Sequence, residues 1–209
     1  MKYEPGIYDL PFVDYLKIDA MNFHTLKELE ISPLHLKHVI DGYRQPNTDA
    51  LRLGRAIHCG VLTPSLFKKE HHISPGCAAK MKSGARKGED CGKSSKWSED
   101  GVTFFCGTHA KGDSSLREFD NVLTEAEGEN ITNVVDAVKK HAAGECLRKG
   151  GTPEQSIVFD RLGVRCKARI DWLLPGEFVD LKKLQRGKAD DRSLLQAIVK
   201  YDYYQQLAF

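Results

Sequence analysis

The run SIVFDRLGVRCKARIDWLLPGEFVDLKK, Ser156 to Lys183, leaves this chain few folds to choose from. Two turn signals, Leu162-Gly163 and Pro175-Gly176, cut it into three extended segments, which predicts a strand meander. Successive side chains on a strand point to opposite faces. In the second segment Val164, Cys166, Ala168 and Ile170 share an apolar face, and Arg165, Lys167, Arg169 and Asp171 share a charged one. The third repeats the scheme, with Val179 and Leu181 on one face and Asp180 and Lys182 on the other. A hairpin across Pro175-Gly176 would bring Asp171 and Asp180 close together near Lys182.

Two carboxylates and an amine on one open strand face suit a particular chemistry. Carboxylate oxygens hold Mg²⁺ or Mn²⁺. Such a metal polarises a phosphodiester and lowers the pKa of a bound water. The lysine can orient that water and offset developing negative charge. Arg165, Lys167 and Arg169 beside it would attract a phosphate backbone. A lone Asp-x-Lys also arises by chance on a solvated, ion-paired sheet face, so other residues must decide.

Helices precede the meander. SPLHLKHVIDG reads as a short helix capped by Ser32, with Pro33 at its first position and Gly42 at its end. NTDALRLGRAIHCGVLTP reads as a second, capped by Asn47 or Thr48 and stopped by Pro64. Within it His58 leans over Gly54, where no side chain obstructs it, as suits a histidine reaching a metal or phosphate; a packed core histidine is the plainer alternative. NITNVVDAVKKHAAGECLRKGG predicts a third, with an apolar stripe of Ile131, Val134, Val135, Val138, Ala142 and Cys146 and a stop at Gly150-Gly151. A last helix runs from Asp190 to the final residue. Helices around a sheet that starts as a meander imply an α/β architecture.

Between residues 68 and 111 the composition changes to Gly, Ser and Lys with little periodicity, which reads as an inserted module. The implied division is 1–67, N-terminal helices of the core; 68–111, the insertion; and 112–209, the rest of the core. Cys77, Cys91, Cys106 and His109 follow C-x13-C-x14-C-x2-H, a closed tetrahedral set for structural Zn²⁺. The segment has too few large apolar residues to fold unaided, and metal would supply the missing energy. It carries nine Lys and Arg against five Asp and Glu, so the positive charge of a chain with net +2 is concentrated there. That fits a DNA-contacting accessory; a solvated lysine-rich loop fits equally. The cysteine pattern is unlike a secreted disulfide scaffold and suggests a reducing, cytoplasmic setting. No apolar run reaches the length of a membrane span.

Taken together, SPLHLKHVIDG, DALRLGRAIHCGVLTPSLF, PEQSIVFDRLGVRCKARIDWL, FVDLKK and YDYYQQLAF resemble phage and prophage exonucleases of the RecE (exonuclease VIII) type. These belong to the PD-(D/E)XK nuclease superfamily. The resemblance covers about residues 20–67 and 150–209. It implies a restriction-endonuclease-like core, a mixed sheet flanked by helices, and Mg²⁺-dependent degradation of duplex ends, 5′ to 3′, leaving a single strand for recombination. By position it implies metal ligands at His58, Asp171, Asp180 and the Leu181 carbonyl, a catalytic lysine at Lys182, and a supporting glutamate at Glu154. Gln206 is implied near the DNA. From their charge, Arg55, Arg165, Lys167 and Arg169 are expected as further DNA contacts. A single-strand annealing protein is the implied partner, and a homo-oligomer is compatible. Lys183 stands where the family usually has threonine. Two other readings are a RecB-like nuclease of CRISPR adaptation and a catalytically impaired, zinc-dependent DNA-binding protein.

Overall fold

The computed structural model describes residues 2–43, 48–184 and 190–209. In chain order its elements are β1 (Gly6–Tyr8), α1 (Phe12–Leu16), α2 (Phe23–Lys27), α3 (Pro33–Ile40), α4 (Asp49–Leu62), α5 (Pro64–Glu70), β2 (His72–Ser74) and β3 (Trp97–Ser98). Then come α6 (Gly107–Ala110), β4 (Arg117–Glu118), β5 (Val122–Thr124), α7 (Glu125–Lys140), β6 (Thr152–Arg161), β7 (Val164–Leu174), β8 (Glu177–Val179), α8 (Asp191–Lys200) and α9 (Tyr203–Ala208). They form two compact units: Met1–Pro46 together with Cys146–Phe209, and Asn47–Glu145. The second unit extends beyond the expected 68–111 insertion on both sides, and α4 and α7 pack on each other there. Asn47, one of the two expected caps, lies outside the described residues; Thr48 caps α4 by accepting from the Leu51 N–H.

The first unit is built on a sheet in the order β1-β6-β7-β8, with every neighbouring pair antiparallel. The expected mixed sheet is thus corrected: among the described residues this sheet has only one parallel element, an isolated bridge from Met21 to Cys166. The meander follows from its turns. Leu162 and Gly163 both take positive φ, 50° and 78°, as a tight two-residue hairpin matched to strand twist requires. Pro175 followed by Gly176 at φ 80° suits a type II turn. Tyr15, Ile18 and Val158 form the buried centre of this unit, packed by Tyr3, Tyr8, Leu10 and Ala20.

In the second unit Ala56 and Ile57 of α4 bury against Leu123 and Ile131, with Leu53, Val61, Phe67, Val134 and Val135 around them. Gly60 permits the close approach: a Cβ there would lie 3.1 Å from the Ile131 side chain. Arg52 of α4 pairs with Glu127 of α7 at 2.5 Å. Glu127 also closes a capping box with Thr124, so α7 starts at Glu125, ahead of the expected Asn130. The helix ends earlier than its apolar stripe implied. His141 turns extended after Lys140, and Ala142 and Cys146 fall in a 3-10 segment, Ala142–Arg148. Gly144 shows the cause, since a Cβ there would lie 1.9 Å from the Val138 carbonyl oxygen. The chain folds back on the helix end too tightly for a side chain.

Candidate functional site

In the first unit β6 and β7 pair on both sides of Glu154 and Asp171, at Pro153–Trp172 and Gln155–Ile170. Glu154 itself departs from strand geometry, with φ 55°. Its carboxylate is held by Arg169, whose Nε lies 2.6 Å from Glu154 Oε2. Arg169 is fixed in turn by donating to the Leu10 carbonyl and the Ser156 hydroxyl. This places carboxylate oxygens of Glu154 and Asp171 within 4.8 Å of each other. Asp171 Oδ2 also accepts from the Leu181 N–H at 2.7 Å, tying the end of the meander to β7.

The ladder stops at Val179, so Asp180 and Lys182 lie just past β8 and not on a strand face as expected. Their side chains still meet, with Lys182 Nζ 2.7 Å from Asp180 Oδ2. Lys182 also donates to Gln206 Oε1 at 3.2 Å and sits 4.7 Å from the centre of the Tyr203 ring. Gln206 thus presents its oxygen to the lysine. Asp180 pairs with Lys182, and the Asp171 carboxylate lies beside that of Glu154. Burial, with Lys182 and Lys27 nearby, pushes the His24 imidazole below the usual histidine range. Sequence reasoning missed His24 and Tyr203. The one available signal was helical spacing, which puts Tyr203 one turn before Gln206.

The basic face of β7 behaves differently from expectation. Lys167 is buried, 5% exposed, and donates to the carbonyls of Tyr15, Leu16 and Ile18 at the end of α1. A cation satisfies the last carbonyls of a helix in this way. Its ammonium is directed inward, away from any phosphate. Arg165 is bound to Asp160 and to the Tyr3 carbonyl, and Arg169 to Glu154. The role expected of Lys167 in DNA binding is therefore corrected to a structural one. Arg165 and Arg169 likewise make internal contacts. Arg55 and His58 lie on α4 in the second unit, Arg55 exposed and His58 half-buried. A Cβ on Gly54 would meet nothing within 4 Å.

In the second unit one ligand atom from each of Cys77, Cys91, Cys106 and His109 comes within 4.8 Å of the others. His109 Nδ1 is 3.3 Å from Cys77 Sγ and 3.4 Å from Cys106 Sγ. Ligands around a tetrahedral Zn²⁺, at bond lengths of about 2.0–2.3 Å, are separated by roughly 3.3–3.8 Å. The three cysteines are buried and reduced. Backbone turns present them: the Cys77 N–H donates to the Lys93 carbonyl, the Gly92 N–H to that of Cys77, and the Cys91 N–H to that of Ala79. Gly76, at φ 119°, lies so near Gly92 that a Cβ would be 2.9 Å from its carbonyl oxygen. Burial pushes the Cys106 thiol up, but the N–H groups of His109 and Thr108 and the Cys77 side chain outweigh it and bring the thiol down to about 6. A thiolate there is the form that binds metal. The donor set therefore fits a closed tetrahedral ion. Three cations of the surrounding chain are paired locally, Lys80 with Asp90, Arg86 with Glu89 and Lys96 with Glu118.

The family whose model matches residues 23–209 is described as a PDDEXK-like domain of unknown function, DUF3799. The chain belongs to this family. Neither a curated protein nor a solved structure matches it. A PDDEXK-like domain points to a nuclease, for which DNA is the implied substrate and divalent metal the usual cofactor. No described helix is long and apolar enough to cross a membrane.

Proposed function

We propose that this PDDEXK-like protein is a Mg²⁺- or Mn²⁺-dependent DNA exonuclease that degrades duplex ends 5′ to 3′ and supplies single strands for phage-type recombination. The observation that carries the reading is the pair of carboxylates, Glu154 and Asp171, tied through the Leu181 N–H to the segment whose Lys182 is clamped by Asp180 and Gln206. Asp171, Asp180 and the Leu181 carbonyl are the proposed ligands, with Glu154 beside Asp171. The bound ion would lower the pKa of a water and offset charge on the phosphate. Lys182, held in place by Asp180 and Gln206, orients the attacking water and neutralises the developing oxyanion. Arg169 fixes the Glu154 carboxylate through Oε2. The Cys77, Cys91, Cys106 and His109 set holds Zn²⁺ as a structural ion, because four protein ligands leave no position for water. The polarity and a strand-annealing partner rest on the RecE-type resemblance alone.

The test is a Mg²⁺ titration with linear duplexes labelled at either the 5′ or the 3′ end. Metal-dependent release from the 5′ label first is the expected result. Cutting confined to single-stranded overhangs would favour the adaptation-nuclease reading. Binding without cutting at any metal concentration would leave a DNA-binding protein.

A further inference from the structure

We propose that Tyr203, Tyr201 and Lys200 form a track that guides one single strand of DNA from the Asp180–Lys182 site to the surface. The proposal rests on the nuclease reading and adds where the strand lies.

Cations and aromatic rings alternate along this line. Lys182 Nζ is 4.7 Å from the Tyr203 ring centre. The Tyr203 ring stacks on Tyr201, with centroids 5.7 Å apart and planes 26° apart. Lys200 Nζ is then 5.4 Å from the Tyr201 ring centre. Tyr201 is 50% exposed and Lys200 is exposed, so the outer end of the line is open to a ligand. Proteins that hold single strands without sequence preference use this combination, rings for the bases and cations for the phosphates.

The stacking is a product of the backbone. Residues two apart on a helix do not face each other. Tyr201 and Tyr203 do so because Asp202 between them adopts a left-handed conformation, φ 53°, where α8 gives way to α9. That conformation is costly for a residue other than glycine. It is secured by Lys27, whose Nζ lies 2.6 Å from Asp202 Oδ2. A strained junction pinned by an ion pair, with its rings aligned toward the proposed catalytic lysine, suits a ligand more than bare surface packing.

Binding of a short fluorescent oligothymidylate, with Ca²⁺ replacing Mg²⁺ to suppress cleavage, tests the track. Tyr201→Phe should bind like the wild type. Tyr201→Leu, similar in bulk but unable to stack, should bind about tenfold more weakly. Lys200→Gln should reduce the slope of log affinity against log salt by about 0.7. Equal thermal midpoints for Tyr201→Phe and Tyr201→Leu would exclude a folding defect; if Tyr201→Leu is less stable, Lys200→Gln decides by its salt slope. Leucine binding as tightly as phenylalanine, or an unchanged salt slope, would overturn the track. A wild type that cuts labelled duplex ends but binds no oligothymidylate overturns the track and leaves the nuclease reading intact. A wild type that does neither overturns both.

Discussion

Two lysines a short distance apart in sequence show how little residue type alone decides. Lys182 keeps its ammonium between Asp180, Gln206 and the Tyr203 ring. Lys167 turns inward and closes the end of α1. Their substitutions should separate cleanly. Lys182→Ala and Asp180→Ala are each expected to abolish Mg²⁺-dependent cleavage while DNA binding survives, measured by gel assay and by anisotropy; wild-type turnover in either would refute the assignment. Lys167→Met is expected to lose stability in urea, on the order of 1–3 kcal/mol for each carbonyl left without a donor, with no change in the salt dependence of DNA binding. A flatter salt slope would restore Lys167 to the DNA-binding face. The return of the Asp180–Lys182 stretch beside β7 was legible in the sequence because a Pro-Gly turn sets the hairpin. The inward turn of Lys167 was not, since it depends on α1 ending over β7, a contact between residues far apart in the chain.

Elements were legible where local chemistry sets them. Ser32 and Thr48 cap their helices, and the Leu162-Gly163 and Pro175-Gly176 hairpins sit where the turn residues put them. The end of α7 was not legible, because its apolar stripe continues through Ala142 and Cys146 while the backbone does not. Gly144→Ala tests that explanation. A methyl 1.9 Å from the Val138 carbonyl oxygen cannot be accommodated without moving backbone, so the loss should be about 3 kcal/mol or more by denaturant melt. A loss under about 1 kcal/mol, or the gain of about 1 kcal/mol that Gly→Ala ordinarily brings in a helix interior, would show that the fold-back gives way easily. Thr124→Ala removes half of the capping box and should cost about 1 kcal/mol; an unchanged midpoint would mean that Glu127 holds the helix start by itself.

At the scale of the whole molecule, each unit has its own proposed metal, and the two should be separable. Purified protein is expected to hold one Zn²⁺ per chain by elemental analysis. A thiol-competing chelator should remove it and raise amide exchange in the Cys77–His109 stretch while β6 and β7 stay protected. Cys106→Ser should lose the ion and weaken DNA binding, and cleavage at saturating DNA should persist. Zinc-free native protein, or a Cys106→Ser variant that binds DNA normally but cannot cut, would reverse this division of labour. The compositional change at residue 68 set the expected boundary of the Cys77–His109 stretch. That its supporting unit reaches back to α4 and forward to α7 was hidden, since the apolar stripes that join those helices look like any other core.

The split of the first unit, Met1–Pro46 and then Cys146–Phe209, has a consequence for biosynthesis. β1 leaves the ribosome early, but its partner β6 appears only after the whole second unit has been made. At about 5–20 residues per second the wait is on the order of ten seconds, long on the scale of hairpin formation. The second unit is contiguous and can collapse during that interval. The β6–β7 hairpin then closes at small entropic cost, while the β1–β6 pairing, spanning some 150 positions, comes last. Nascent chains arrested when Glu145 has just cleared the ribosome should therefore protect α4 and α7 from protease and leave residues 2–43 open to it.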